Sequence, residues 1–191
     1  MSDSKLVQDF KHLRTHCIKL KHSFVTYNRL FNESNRDLLG AVAPTFFSDI
    51  AEIMHRDWVL QACKLMDPSD TKRKGMILEN ITIKLINKQL DSSGLLSTTI
   101  SSLADSLLVY GEKIKPARDK RIAHFDRDHQ LSENLLGSTS ELELAEFITN
   151  LQEYCDQVGI ALGIGPLDFG SGGCKGDVLD LLKCLKQARG A

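Results

Sequence analysis

The segment LVQDFKHLRTHCIKLKHSFVTYNRLF, residues 6–31, carries the clearest pattern in this chain of 191 residues. Apolar residues recur along it at alternating spacings of four and three, which places them on one side of a long helix. The stripe consists of Leu6, Phe10, Leu13, Cys17, Leu20, Phe24, Tyr27 and Phe31. The same alternation returns in residues 96–114 and 144–158. The sequence therefore predicts three helices that share a buried seam, as in helical bundles.

A further helix is predicted to begin near Phe46, because apolar positions continue at helical spacing to Trp58. Thr45 or Ser48 is the expected cap at its start. The pair Asp67-Pro68 should end it, since the residue before a proline avoids helical backbone angles. We expect Trp58 to lie in the core.

Residues 76–87 carry two competing signals. The β-branched run Ile81-Thr82-Ile83 suits a strand, whereas Leu78, Ile81 and Leu85 keep helical spacing. The composition favours helices packed on helices, with 28 leucines and only four prolines. We therefore interpret this segment as helix and the whole chain as all-α, an antiparallel helical bundle.

Three parts are predicted along the chain: a bundle over residues 1–160, a connection over 161–177 and a C-terminal helix over 178–191. Seven of the 18 residues from Gly159 to Gly176 are glycine, which is typical of a flexible connection. The run Gly-Ser-Gly-Gly at 170–173 lacks the Lys-Ser/Thr of a phosphate-binding loop, so we interpret it as a hinge.

Composition points to a soluble protein of the cytoplasm. The formal net charge of −1 gives no hint of a nucleic-acid or membrane partner. The five cysteines contain no C-x-x-C pair, which argues against a disulfide framework and a zinc ribbon and predicts a reducing compartment. The N-terminus is charged, and no apolar run approaches the roughly 20 residues that span a bilayer. His12 and His16 share a helix face without the further ligands of a metal site, so neither metal nor cofactor is expected.

Charge is nevertheless unevenly distributed. Residues 11–29 hold five basic residues and no acid, whereas residues 130–160 hold six acids and no lysine or arginine. Two interpretations follow from this asymmetry. The two segments lie close enough for their fields to cancel, or the first helix faces phosphate.

The residues that carry chemistry lie in IKPARDKRIAHFD, residues 114–126. Pro116 is expected to kink or restart the helix, so that Arg118 lies in a first turn with free backbone N–H groups. Such a place suits a phosphate. Asp119 is the residue expected to hold Arg118. His124 has an ordinary pKa of about 6.5 and can therefore accept and donate protons at neutral pH.

An arginine and a histidine can together catalyse the cleavage of RNA without a metal ion. A base removes the proton from the 2′-hydroxyl, an acid protonates the departing 5′-oxygen, and a cation stabilises the phosphorane. Positions six apart on a straight helix are separated by about 9 Å of rise and point about 120° apart. Arg118 and His124 therefore converge only if the turn departs from an ideal helix, or if a twofold dimer brings a second pair to one cleft. Arg121, three residues before His124, would contact RNA or orient the imidazole; Lys115 and Lys120 are the other expected RNA contacts.

Arg118-Asp119, four further residues and His124 resemble the R-x(4–6)-H motif of the HEPN superfamily. The longer string RDKRIAHFD, residues 118–126, together with residues 56–67, is similar to the abortive-infection U-type branch of that superfamily. The resemblance covers roughly residues 40 to 160. It implies a dimeric helical bundle and, in active members, a metal-independent endoribonuclease of defence or toxin systems.

By this resemblance Arg118 and His124 are the catalytic residues, and Asp119 is the polar second residue of the motif. RNA is then the substrate, a second copy of the chain a partner, and an antitoxin protein a further possible partner. The alternative is a noncatalytic helical module that binds a partner protein or a nucleotide through the same cleft, because a fold does not dictate its chemistry.

Overall fold

The computed structural model describes residues 4–122, 137–170 and 173–190, and these residues are mostly α-helical. The α-helices are α1 (Ser4–Leu30), α2 (Arg36–Val42), α3 (Pro44–Met66), α4 (Ile83–Ser92), α5 (Thr98–Ala117), α6 (Glu141–Ala161) and α7 (Val178–Gly190). A 3₁₀ turn (Glu33–Asn35) precedes α2, and a π-helical turn (Arg118–Ile122) follows α5. Two short strands, β1 (Asp70–Arg73) and β2 (Met76–Glu79), form an antiparallel hairpin between α3 and α4.

The three striped segments form α1, α5 and α6, as predicted. Polar caps explain where two of them begin. The Ser97 hydroxyl accepts the N–H of Ile100 at 3.2 Å at the start of α5. At the start of α6, Ser140 and Glu143 form a reciprocal capping box.

Two predictions of local structure were wrong. Helix α3 begins at Pro44, so Thr45 and Ser48 lie inside the helix and do not cap it; proline suits the first helical position because its missing N–H has no intrahelical partner there. Residues 76–79 form strand β2, and helix resumes only at Ile83. The fold class is nevertheless as predicted, since helices dominate the described residues and the hairpin is the one small sheet among them.

The turn of the hairpin explains the second error. Lys74 and Gly75 have φ angles of +49° and +80°, the left-handed pair that a tight two-residue hairpin requires. This turn reverses the chain, so that residues 76–79 pair with β1 as a strand instead of forming a helix. Thr82, whose hydroxyl accepts the N–H of Leu85 at 3.3 Å, then caps α4.

One compact unit comprises the described residues within Met1–Ile18 and Val59–Phe169. Its core is made by α1, α4, α5 and α6, which contribute completely buried apolar side chains: Phe10, Leu13, Ile86, Leu90, Ala104, Leu107, Leu151 and Val158. Burial of each large side chain in such a core contributes about 1.5–3 kcal/mol. The buried Tyr154 hydroxyl donates to Asn87 at 2.8 Å, so its polar atom is satisfied inside the core.

A second unit comprises the described residues within Lys19–Trp58 and Gly170–Ala191. Its apolar cluster combines residues of α1, α2, α3 and α7: Leu30, Leu38, Leu39, Phe47, Val178 and Leu182. The C-terminal helix is thus part of a core that begins near residue 30. Trp58 is buried, as predicted.

Candidate functional site

Arg118 lies directly after α5, at the start of the π-helical turn. Pro116 lies within α5 and does not restart the helix. The backbone N–H of Arg118 bonds the carbonyls of Ile114 and Lys115, so the expected first turn with free N–H groups is absent at this residue. Proline removes only its own N–H bond, and the helix passes through it and relaxes into a wider turn. Any anion here would therefore meet a side-chain cation rather than a helix N-terminus.

The turn at Arg118–Ile122 departs from ideal helix, because π-helical bonds join residues five apart instead of four. This departure is one of the two conditions under which Arg118 and His124 could converge. His124 lies outside the described residues, and the structure does not describe the side chain of Arg121. Convergence of the motif residues therefore stays a prediction.

The Arg118 guanidinium is held between two carboxylates. Its Nε donates to Oδ1 of Asp119 at 2.7 Å, which is the contact predicted from the sequence. Its Nη1 donates to Oδ1 of Asp67 at 2.5 Å. The Arg118 side chain is 17% exposed, whereas those of Asp67 and Asp119 are 32% and 44% exposed, so these contacts form at a half-buried edge of the unit. The sequence predicts Asp67 as the end of α3 and as the last residue of the family-like string 56–67, but it assigns no contact to a residue 51 positions away.

Arg118, Asp67 and Asp119 form a charged trio, and the two carboxylates keep Arg118 protonated. Burial lowers the pKa of the guanidinium, but the hydrogen bonds to Asp119 and Asp67 raise it, and the pKa lies above its ordinary value. One cation and two carboxylates leave the trio with a formal charge of −1. A guanidinium has five N–H donors, and within the described part of the chain the two carboxylates take two of them, which leaves three for a further acceptor.

Close packing brings Asp67 to the site. Gly111 of α5 faces Met66, and a Cβ built on Gly111 would lie 3.0 Å from the Cβ of Met66. The absence of a side chain at Gly111 lets the end of α3 approach α5. Asp67, the next residue, then lies within reach of Arg118.

The described chain resumes at Gly137, beside the end of α5. A Cβ on Gly137 would lie 2.9 Å from the Cβ of Ala117, and Gly137 has a φ of +69°. A larger residue would be both strained and obstructed here. Gly137 therefore packs the beginning of this segment against the last turn of α5.

Cys63 is 3% exposed, and it lies close enough to Arg118, Asp67 and Asp119 for their charges to act on its thiol. Burial raises the pKa of its thiol to about 11, against the opposing influence of the Arg118 charge. A thiol with such a pKa is almost wholly protonated at neutral pH and is a poor nucleophile. Cys63 is thus a buried thiol near the site without nucleophilic character at neutral pH.

The predicted RNA contacts Lys115 and Lys120 differ in their surroundings. Lys115 lies 3.6 Å from Glu112 in a pair whose two side chains are well exposed, so the attraction is weak. Lys120 is exposed on the π-helical turn. Arg14, one of the basic residues of α1, instead donates to the carbonyl of Ile164 at 3.0 Å and lies over the ring of Phe10.

A groove of about 420 Å³ lies between α5 and α6. Tyr110 and Phe147 stack in its wall with ring centroids 4.5 Å apart. Its charged lining residues are Lys113, Asp105, Glu143 and Glu146. Three carboxylates against one ammonium disfavour the phosphates of a nucleotide in this groove.

None of the described helices combines the length and the apolar character needed to cross a bilayer. Among the described residues, no three histidine, cysteine or acidic side chains gather as a metal site would require. His16 instead contacts the carbonyl oxygen of Gln61 through Nε2 at 3.0 Å.

Comparison with known proteins gave one match. The sequence model of the family described as HEPN AbiU2 matches residues 3–177. No curated protein matched the chain, and no solved structure matched it.

Proposed function

Because the chain belongs to the AbiU2 family of HEPN domains, we propose that it is a metal-independent endoribonuclease that uses Arg118 and His124. The observation that carries the proposal is the placement of Arg118. The guanidinium belongs to the π-helical turn Arg118–Ile122, which ends two residues before the histidine of the motif in the sequence. Two carboxylates hold it. A cation fixed in this way loses little side-chain entropy when it binds a phosphate.

Each residue has a separate task in the proposed reaction. The His124 imidazole takes the proton from the 2′-hydroxyl, and the 2′-oxygen attacks the adjacent phosphorus. The bond from phosphorus to the 5′-oxygen then breaks, an imidazolium protonates the leaving oxygen, and a 2′,3′-cyclic phosphate remains. The free donors of Arg118 stabilise charge on the phosphoryl oxygens, and Asp119 and Asp67 keep the guanidinium oriented.

In this proposal the protein acts as a homodimer in the cytoplasm, in a defence or toxin role, and an antitoxin protein restrains it. A twofold axis would supply a second imidazole to the same cleft, so that one acts as base and the other as acid. Lys115, Lys120 and Arg121 would contact the RNA backbone.

The test is cleavage of single-stranded RNA in EDTA by the wild type, His124→Ala and Arg118→Ala. We expect each substitution to lower the rate by at least ~10²-fold. Arg56→Ala, which removes an exposed arginine of α3, is the matched control and should cleave as the wild type does. Equal cleavage by all four proteins would exclude the proposed roles.

A second candidate function rests on the same ion pairs. An arginine that is 17% exposed and bonded to two carboxylates also suits a purely structural role, as in a noncatalytic module that binds a partner protein. This candidate predicts a stable protein complex without RNA turnover. It also predicts that Arg118→Ala lowers thermal stability and that neither the wild type nor any variant cleaves RNA.

A further inference from the structure

We propose that the β1–β2 hairpin is an arm that binds the phosphate backbone of RNA beside the Arg118 site. The inference rests on the proposed function, since it assigns a binding surface for the same substrate. It is drawn from the charge, exposure and placement of the hairpin residues.

Charge is separated along the length of the hairpin. Three consecutive cations, Lys72, Arg73 and Lys74, lie at its tip, and all three are exposed. At the other end Asp70 pairs with Glu79 across the strands, and the Glu79 carboxylate binds Lys5 at 2.7 Å. The acids of the hairpin therefore lie at its base, and the positive charge at the tip is left uncompensated by them.

The cations are available from both sides of the hairpin. Lys72 is paired with Ile77, and Arg73 with Met76. Since successive residues of a strand point to opposite faces, these two cross-strand pairs lie on opposite faces of the hairpin. All eight strand residues are exposed, which leaves both faces open in the described structure. The two strands extend for about 13 Å, since each residue of a strand adds about 3.3 Å.

The base of the hairpin is anchored close to the candidate site. Asn80 donates its backbone N–H to the carbonyl of Ser69 at 2.8 Å and its side-chain amide to the carbonyl of Pro68 at 3.0 Å. Strand β1 begins three residues after Asp67, which bonds Arg118. The arm thus projects from the segment that holds the guanidinium.

The charge of the site explains why such an arm would be needed. Arg118, Asp67 and Asp119 together carry a formal charge of −1, so the trio alone does not attract a polyanion. The three cations at the tip of the hairpin, which the hairpin's own acids do not neutralise, supply that attraction, which depends on the number of phosphates neutralised and not on sequence. Met76 and Ile77, which are 61% and 67% exposed, lie beside the cations. Side chains of this kind pack against or between bases in nucleic-acid complexes.

A second copy of the chain is a less suitable occupant of this surface. Pairing of two hairpins through β2 would bury Met76 and Ile77 but would leave Lys72 and Arg73 on the outer strands β1, where the new contact would not use them. RNA satisfies the cations and the apolar side chains together.

The test measures binding of a short fluorescein-labelled single-stranded RNA by fluorescence anisotropy at several salt concentrations, in the His124→Ala background. The arm variant carries Lys72→Gln, Arg73→Gln and Lys74→Gln. The matched control carries Lys175→Gln, Lys183→Gln and Lys186→Gln, which remove the same charge from exposed positions of the second unit. We expect the arm variant to bind at least ~10-fold more weakly at low salt and to lose about 2 from the slope of log K against log salt. The control should bind as its parent does.

Two further measurements separate the possible outcomes. Ile77→Lys adds a cation to the arm and should steepen the salt dependence of RNA binding without changing the sedimentation coefficient. Equal affinity and equal salt slope for both triple variants would overturn the proposal, and so would dissociation of a dimer by Ile77→Lys with RNA binding unchanged. If the wild type cleaves RNA but the arm variant binds and cleaves normally, the proposed role of the hairpin is wrong, whereas the proposed ribonuclease function is supported. If no protein cleaves RNA but only the arm variant loses affinity for it, the proposed ribonuclease function is wrong, whereas the proposed RNA-binding role of the hairpin is supported.

Discussion

Asp67 accepts a hydrogen bond at 2.5 Å from Nη1 of Arg118, a residue 51 positions later in the chain. The contact joins the end of α3 to the turn after α5. It fixes the orientation of the guanidinium, because Asp119 holds the Nε edge of the same group. The geometry of the motif therefore depends on a residue outside the motif.

Substitution Asp67→Ala should lower both stability and activity. Both side chains are largely sheltered from solvent, so loss of the contact should cost about 1–2 kcal/mol in the free energy of unfolding. The proposed ribonuclease rate should fall because Arg118 is then held at one edge only. Urea unfolding and RNA cleavage measure the two effects. Glu52→Ala breaks an exposed pair with Arg56 and should change stability by less than about 0.5 kcal/mol; a similar loss in both variants would contradict the assigned role of Asp67.

Substitution Gly137→Ala should be more costly than Gly94→Ala. Both glycines have a positive φ, of +69° and +67°, but only Gly137 has neighbouring atoms that a Cβ would strike. We expect about 1 kcal/mol for the strain at Gly94 and a further 1–3 kcal/mol for overpacking at Gly137. Thermal and urea unfolding provide the comparison. Equal losses of unfolding free energy in the two variants would show that the Ala117 side chain moves aside without destabilising the fold.

The Cys63 thiol should make stability depend on alkaline pH. Burial raises its pKa from 9.0 to about 11, so between these values the folded chain retains a proton that the unfolded chain has lost. The stabilising effect of this thiol is complete below pH 9 and is lost as the pH rises through 11. The free energy of unfolding should therefore fall more steeply from pH 8.5 to 10.5 in the wild type than in Cys63→Ala. Parallel slopes would contradict the burial of this group.

The capping box at the start of α6 should contribute measurably to stability. Ser140→Ala removes the side-chain acceptor of the Glu143 N–H and should cost about 1 kcal/mol. Ser102→Ala, at an exposed position inside α5, should be neutral or slightly stabilising because alanine is the better helix former. Denaturant midpoints of the two variants test this difference.

Periodicity predicted the elements that bury a continuous stripe. Leu6, Phe10 and Leu13 are buried because their spacing commits them to one face of α1. The hairpin escaped prediction because Lys74 is an unusual residue for a left-handed turn, and because the apolar residues of β2 face solvent instead of a core. A pattern of buried residues cannot reveal a strand that buries none.

The site was predictable only where it is local. Asp119 was expected to hold Arg118 because the two residues are adjacent, and this contact is present. Asp67 and Cys63 reach the site through the packing of α3 on α5 at Gly111, which no short-range spacing encodes. The bonded N–H of Arg118 was likewise missed, because proline inside a helix and proline at a helix start look alike in sequence.

The division of the second unit's core between two distant parts of the chain bears on where the protein can be truncated. The family match stops at residue 177, just before α7, and the glycine-rich stretch there has the composition of a domain boundary. Removal of α7 would take away Val178 and Leu182 and turn their partners Leu38 and Leu39 into exposed surface. A contiguous apolar patch of this kind promotes aggregation. A shortened chain that ended at the family boundary would consequently be less soluble than the chain that carries α7.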